Sequence, residues 1–312
     1  MADRHDHPGF RRMYDSDELT FGAIFPLESY EGTTPSMDRQ VELAQRAEEL
    51  GFDALWFRDV PLLDPSFGDA GQIYDPWVYL SHIAAHTDEI ALATGAIVLP
   101  LRHPIHVAKA AASVTNLSDG RLVLGLASGD RPVEYQAFDT DPTARGERFR
   151  ESVAALRRLW SEEFPEIDSS FGTMDGDVDL VPKPTTGQIP LLITGHARQE
   201  EDWIAENGDG WMYYMQSLDD QAATIERWRE LTGNEFKPFG QSMYIDLAAD
   251  PSEPPSRIHQ GFRAGREWLI EYISQLDEIG VDHLLFNLKY NERPAGDVMD
   301  ELATEVFPAI PD

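Results

Sequence analysis

The sequence predicts an α/β fold, a (β/α)8 TIM barrel, on three observations. Short apolar runs alternate eight times with longer segments of helical period, within 312 residues. The first run is followed by no glycine-rich fingerprint, which weighs against a doubly wound dinucleotide-binding sheet. The rhythm is interrupted once, at residues 162–189, an acidic, Gly/Pro-bearing stretch that reads as an insertion between units four and five.

The elements follow in order. Residues 1–19 form a polar N-terminal extension without the apolar segment of a signal peptide. Residues 21–25 (FGAIF) read as the first strand. Residues 36–50 read as its helix, with Ser36 as cap, an apolar face of Met37, Val41, Leu43, Ala44, Ala47 and Leu50, and Gly51 as stop. Strand 53–57 (DALWF) leads through a Gly/Pro/Asp-rich loop to a helix over 76–87 that starts on proline. Strand 90–98 precedes helix 104–117, and strand 121–126 precedes helix 143–161. After the insertion come strand 190–194 with helix 198–207, strand 210–215 with helix 218–232, and strand 242–248 with helix 260–279. Strand 282–288 with a helix over about 294–306 closes the series. One barrel domain over residues 1–312 is expected, with its chemistry in the segments that follow the strands.

Composition removes whole classes of function. There is no cysteine, so disulfides, thiolate metal sites and thiol nucleophiles are excluded. No HExxH or comparable ligand cluster occurs, and no metal is expected. No 18-residue apolar run exists, so no membrane association is expected, and the default is a cytoplasmic protein. The net charge is −31, from 56 acidic and 25 basic residues, and Lys109, Lys183, Lys237 and Lys289 are the only lysines. Such a surface repels phosphate backbones, so nucleic acid is not an expected partner. With 42% hydrophobic residues and seven tryptophans the chain is not disordered. The charge reads as a solvated acidic shell, and a high-salt environment is one expectation from it.

Three stretches are more specific than periodicity. They are AEELGFDALWFRD (47–59), the run from TGAIVLPLRHPIHVAK through LSDGRLVLGLASGDRPVEY to RGERFRES (94–152), and LLITGHARQEEDWIAENGDGWMYY (191–214). In this order and spacing they resemble the bacterial-luciferase-like family of flavin-dependent oxidoreductases, over roughly residues 20–310. The resemblance implies a barrel with a mid-chain insertion, a homodimer, and a flavin or deazaflavin at the C-terminal ends of the strands. It also implies a cis peptide at Gly95–Ala96 supporting the cofactor ring. Flavin contacts are implied at Ser128, Gly129 and Arg131, and phosphate contacts at Arg145 and in the Gly195–His196–Arg198 loop.

The residues themselves allow a second reading at each place. The segment 127–132 offers a hydroxyl, a glycine and a guanidinium to a ligand, or is an ordinary polar turn. Arg145 and Arg148 open a helix against its dipole and want an anion, supplied by a phosphate or by Glu147 and Glu151. The loop 194–199 suits a phosphate, or ties down Glu200 and Glu201. His103, His106 and Lys109 read as structural or surface groups. Arg58 and Asp59 end the second strand, where barrels put reactive groups; they orient substrate or ring, or form an ion pair with each other. The luciferase histidine that would follow this acid is replaced by Val60, so base catalysis of that kind is not expected. Of Trp56, Phe57, Trp211, Tyr213 and Tyr214, strand alternation lets about half face the cavity. The loop 64–71 has the length of a lid, and Asn287–Tyr290 follows the last strand.

The activity implied is that of a monooxygenase using reduced FMN and oxygen on a small organic substrate, with reduced flavin delivered by a separate flavin reductase. An F420-dependent dehydrogenase on the same scaffold and a non-catalytic flavin-binding protein are the alternatives.

Overall fold

Eight parallel strands close on themselves in the computed structural model, which describes residues 6–15 and 18–311. They are β1 (Thr20–Ile24), β2 (Ala54–Phe57), β3 (Ala91–Thr94), β4 (Leu122–Ala127), β5 (Leu191–Thr194), β6 (Gly210–Tyr214), β7 (Phe239–Leu247) and β8 (His283–Asn287). Each pairs with the next, and β8 returns to β1. The fold is the (β/α)8 barrel with the expected insertion, which carries a small antiparallel hairpin, Glu166–Ser169 with Gly172–Asp175.

Both faces of the strands are buried, as a barrel requires. Their outward side chains meet the helices in one large core. The inward ones, among them Ile24, Ala54, Trp56, Ala91, Ala93, Val123, Leu192, Met212 and Leu285, form a second, smaller core. Small residues make room for Trp56 to cross this interior. A Cβ on Gly22 would stand 2.7 Å from both the Trp56 indole nitrogen and His283 Nε2. The indole N–H donates to His283 Nε2 at 3.0 Å, and His283 Nδ1 lies 2.8 Å from the Thr20 hydroxyl. Complete burial depresses the His283 pKa to about 3, so the ring is neutral.

Five expectations about elements are corrected. The N-terminal extension is not merely polar: Pro8–Tyr14 is a helix whose Phe10, Met13 and Tyr14 enter the inner core. It stops the N-terminal end of the barrel, where Met13 O accepts from the Thr20 hydroxyl and Gly9 N–H donates to Gly120 O. The helix expected over 36–50 begins at Gln40, because Met37 and Arg39 take left-handed φ values of 62° and 57°. Ser36 therefore does not cap the helix; it donates to Glu28 and accepts from the Asp38 N–H. The strand expected over 90–98 breaks after Thr94. The chain steps sideways at Gly95–Ala96, and Ile97–Val98 resumes pairing with β4. The helix expected over 198–207 begins at Glu201, after a turn in which Gly195, Ala197 and Arg198 are left-handed. The helix expected over 260–279 is Arg266–Glu278; before it a hairpin, Ser256–Ile258 with Gly261–Ala264, lies against β7. Among the described residues no helix is long and apolar enough to cross a membrane.

Candidate active site

A cavity of about 580 Å³ opens at the C-terminal ends of the strands. The residues read from the sequence as catalytic or cofactor-binding line it: Arg58, Asp59, Gly95, Ala96, Ser128, Gly129, Arg131, Arg145, Gly195, His196 and Arg198. Of the five aromatics, Trp56, Tyr213 and Tyr214 reach it, whereas Phe57 and Trp211 pack outward among the helices.

The floor is built on β2 and β3. The Gly95–Ala96 peptide is cis, as the resemblance implies. It rests on Trp56, whose ring a Cβ on Gly95 would meet at 3.2 Å. The step is possible because β4 carries Gly125 beneath it, where any Cβ would lie 1.8 Å from Thr94 O. Asp59 fixes the segment beyond the step. Its Oδ2 accepts from Val98 N–H at 3.0 Å and from Arg102 Nε at 2.8 Å, and its Oδ1 accepts from Arg102 Nη2 at 2.6 Å. Only 1% of the Asp59 side chain is exposed. A carboxylate so engaged positions its surroundings.

An Arg58–Asp59 ion pair does not form. Consecutive side chains of an extended chain point to opposite sides. Arg58 turns to Asp69 at 2.9 Å and Asp59 turns to Arg102. The backbone of Arg58 is clamped by Gln72, which both accepts from its N–H and donates to its carbonyl.

The segments after β4 and β5 converge on one corner. Gly129, at φ 78°, brings the backbone against Val98, which a Cβ would strike at 2.7 Å. Arg145 starts the long helix Arg145–Ser161, whose first turn has no side-chain cap. Among the described residues its buried Nε finds no acceptor, and its guanidinium lies 5.7 Å from the Tyr135 ring. The 195–198 turn packs close by: a Cβ on Gly146 would sit 3.2 Å from the Arg198 Cβ. Among the described residues the backbone N–H groups of His196, Ala197 and Arg198 have no acceptor. The buried Thr194 hydroxyl also lacks a partner. Unused turn donors and a guanidinium in one place fit an anion such as a cofactor phosphate. Arg198 and His196 are exposed, and His196 meets the Tyr213 hydroxyl at 3.1 Å.

Other candidates fall to the structural reading. His103 Nδ1 caps its own helix by accepting from Ile105 N–H. Arg148 lies over Phe171, 4.4 Å from the ring, and Lys109 donates to Val181 O. Residues that sequence reasoning missed include Tyr30, Glu134, Tyr244 and His259, of which the last three line the cavity. His259 sits on the unforeseen hairpin. Glu134, beside Arg131, accepts from Leu62 N–H, and burial pushes its carboxyl up to about 7.

The luciferase-like monooxygenase family model matches residues 19–292. The chain belongs to that family. An uncharacterised protein of Mycobacterium tuberculosis is 33% identical over 218 residues, covering 64% of this chain and 74% of that protein. The F420-dependent hydroxymycolic acid dehydrogenase of the same organism is 32% identical over 187 residues, 59% of this chain and 51% of that enzyme. Among solved structures, the monooxygenase RslO1 from Streptomyces bottropensis superposes with a TM-score of 0.77 at 22% identity, covering 93% of this chain and 99% of that one. The family thus includes monooxygenases and F420-dependent dehydrogenases, and its members are oxidoreductases.

Proposed function

We propose that this protein is a flavin-dependent monooxygenase that uses reduced FMN and dioxygen on a small organic substrate. The observation that carries the reading is the anion cradle of Arg145, Arg198 and the 195–198 turn, set beside the Gly95–Ala96 floor in one cavity. Bound flavin supplies the redox chemistry. Arg145, Arg198 and the turn N–H groups hold its phosphate through charge-assisted hydrogen bonds. Gly95, Ala96, Ser128, Gly129 and Trp56 shape the surface on which a planar ring lies, with Gly195 and His196 at its phosphate end. Arg131 places a buried cation on the cavity wall, where it stabilises negative charge. Asp59 holds the floor in register through Val98 and Arg102, and the enclosing loops exclude water.

Reduced flavin reaches the cavity from a separate flavin reductase, and the protein works as a cytoplasmic homodimer. The second reading is an F420-dependent dehydrogenase, favoured by the 32% identity to the mycobacterial enzyme. Titration with FMN and with F420, followed by turnover under air and under nitrogen, separates the two. Expected are FMN binding and oxygen consumption coupled to product. Binding of F420 alone, with turnover that needs no oxygen, overturns the proposal in favour of the second reading. Binding without turnover on any of a panel of substrates leaves only a flavin carrier.

A further inference from the structure

The far side of the cavity carries a second polar cluster that the cofactor cradle does not use. The cradle belongs to β4 and β5. Across the barrel, the segments after β1, β2 and β8 bring Tyr30, Arg58 and Lys289 around a single carboxylate, Asp69. Asp69 accepts from Arg58 at 2.9 Å and from the Tyr30 hydroxyl, and faces Lys289 Nζ at 3.6 Å. Its backbone carbonyl accepts from Arg131 Nη2 at 3.0 Å. Among the described residues, Arg131 Nη1 is buried with no acceptor. The side chains of Arg58, Asp69 and Lys289 are 17%, 7% and 9% exposed.

The charges do not balance. Arg58 and Lys289 share the one Asp69 carboxylate, while Arg131, held by the Asp69 backbone carbonyl, has Asp64, Asp130 and Glu134 around it, and burial pushes Glu134 toward its neutral form at pH 7. A surplus of buried positive charge is costly unless an anion completes it. The rest of the protein makes this surplus conspicuous, since the chain carries −31 overall.

The walls around the cluster are aromatic. The Tyr244 and Tyr290 rings lie 5.1 Å apart, and His259, from the hairpin before the last long helix, lies 5.5 Å from Tyr244. Lys289 Nζ sits 4.7 Å from the Tyr30 ring centre and 5.6 Å from that of Tyr290. Tyr244, whose phenol is pushed up to about 12, chiefly by burial, feels the charges of both Arg58 and Arg131. Guanidinium, ammonium and phenol donors thus surround one point, and flat rings flank it.

We infer that this end of the cavity is the substrate subsite and that the substrate is an organic anion, a carboxylate or phosphate ester carried on a ring-bearing body. Arg58, Lys289 and the Arg131 Nη1 donor receive the anionic group, and Tyr244, Tyr290 and His259 take the ring. The inference rests on the flavin reading for what happens next, but not for binding itself.

The test measures binding of benzoate, phenylacetate and phenyl phosphate against the neutral isosteres benzamide and benzyl alcohol. Full-length protein is used with and without FMN at fixed KCl, followed by calorimetry and by tryptophan fluorescence. At least one anion is expected to bind roughly 10-fold or more tightly than its neutral counterpart, the worth of one charge-assisted contact. Benzoate against phenyl phosphate decides which anionic group fits. Lys289→Met is expected to weaken the anion by a similar factor and leave the neutral isostere unchanged, and Tyr244→Ala to weaken anion and isostere alike, while the FMN affinity stays within about 2-fold in both. Equal binding of anions and neutral isosteres, or no binding of any anion at ~10 mM, overturns the inference. If a variant fails to fold, the wild-type ratio still decides. Failure of FMN and F420 to bind is read separately and removes the flavin proposal, leaving the anion result standing.

Discussion

Asp59→Ala separates a positioning role from a catalytic one. The substitution strands Arg102 with Asp75, 3.3 Å away, as its remaining partner, and strips the acceptor from the Val98 N–H. Breaking a fully buried pair costs about 3–5 kcal/mol. Arg102 is a quarter exposed, so about 2 kcal/mol is the better figure here. The orphaned Val98 N–H adds about 1–2 kcal/mol. Together these lower the melting temperature by roughly 6–16 °C, at about 2–4 °C per kcal/mol for large domains. The loosened Ala96–Val98 segment also weakens FMN binding, and Asp59→Asn, which keeps an acceptor oxygen, recovers part of both losses. Thermal denaturation with an FMN titration on the same preparations reads this. A variant that melts within about 2 °C of wild type, binds FMN normally and has lost turnover would refute the reasoning and return Asp59 to the chemistry.

Further outcomes are expected. Arg145→Met weakens FMN by roughly 10–100-fold with little change in melting temperature, because the Arg145 Nε has no protein acceptor to lose; a fluorescence titration checks it. His283 makes stability pH-dependent: unfolded, it takes a proton near pH 6.5, but folded only near 3. The stability of the neutral ring is therefore complete above pH 6.5 and declines by about 1.4 kcal/mol per unit as pH falls below it. Asp53 and Glu134, raised to about 6 and about 7, act in the opposite direction, so denaturant midpoints of wild type and His283→Gln must be compared across pH 4–8. The difference between them is expected to shrink or reverse as pH drops. With −31 charges the protein is expected to melt at higher temperature as KCl rises from low to multimolar; a flat series removes the high-salt expectation.

What the sequence revealed and what it hid have physical reasons. The eight strands were legible because fully buried strands read as short apolar runs, and Gly51 ended its helix visibly because only a left-handed residue, at φ 82°, fits there. The cradle corner was legible because its residue types are those that anions require. The partners of Arg58 and Asp59 were not, since each finds its counter-ion on a distant loop, and adjacency in sequence suggested a pair that strand geometry forbids. The Pro8–Tyr14 helix escaped notice because it is only seven residues long, too short to be stable by itself. Its stability comes from the interior of a barrel that the chain has not yet made when those residues are read. The hairpin carrying His259 was hidden for a similar reason: its inner strand, Gly261–Ala264, is held by β7 and has little local signal.

That N-terminal helix has a consequence for traffic. Among the described residues, Phe10, Met13 and Tyr14 fill the lower end of the barrel, and the cavity opens at the opposite end. On the proposed function, cofactor, substrate and product all pass its rim. On that reading, whatever lies deepest enters first and leaves last, so a plug at the opposite end of the barrel sets the order of the cycle.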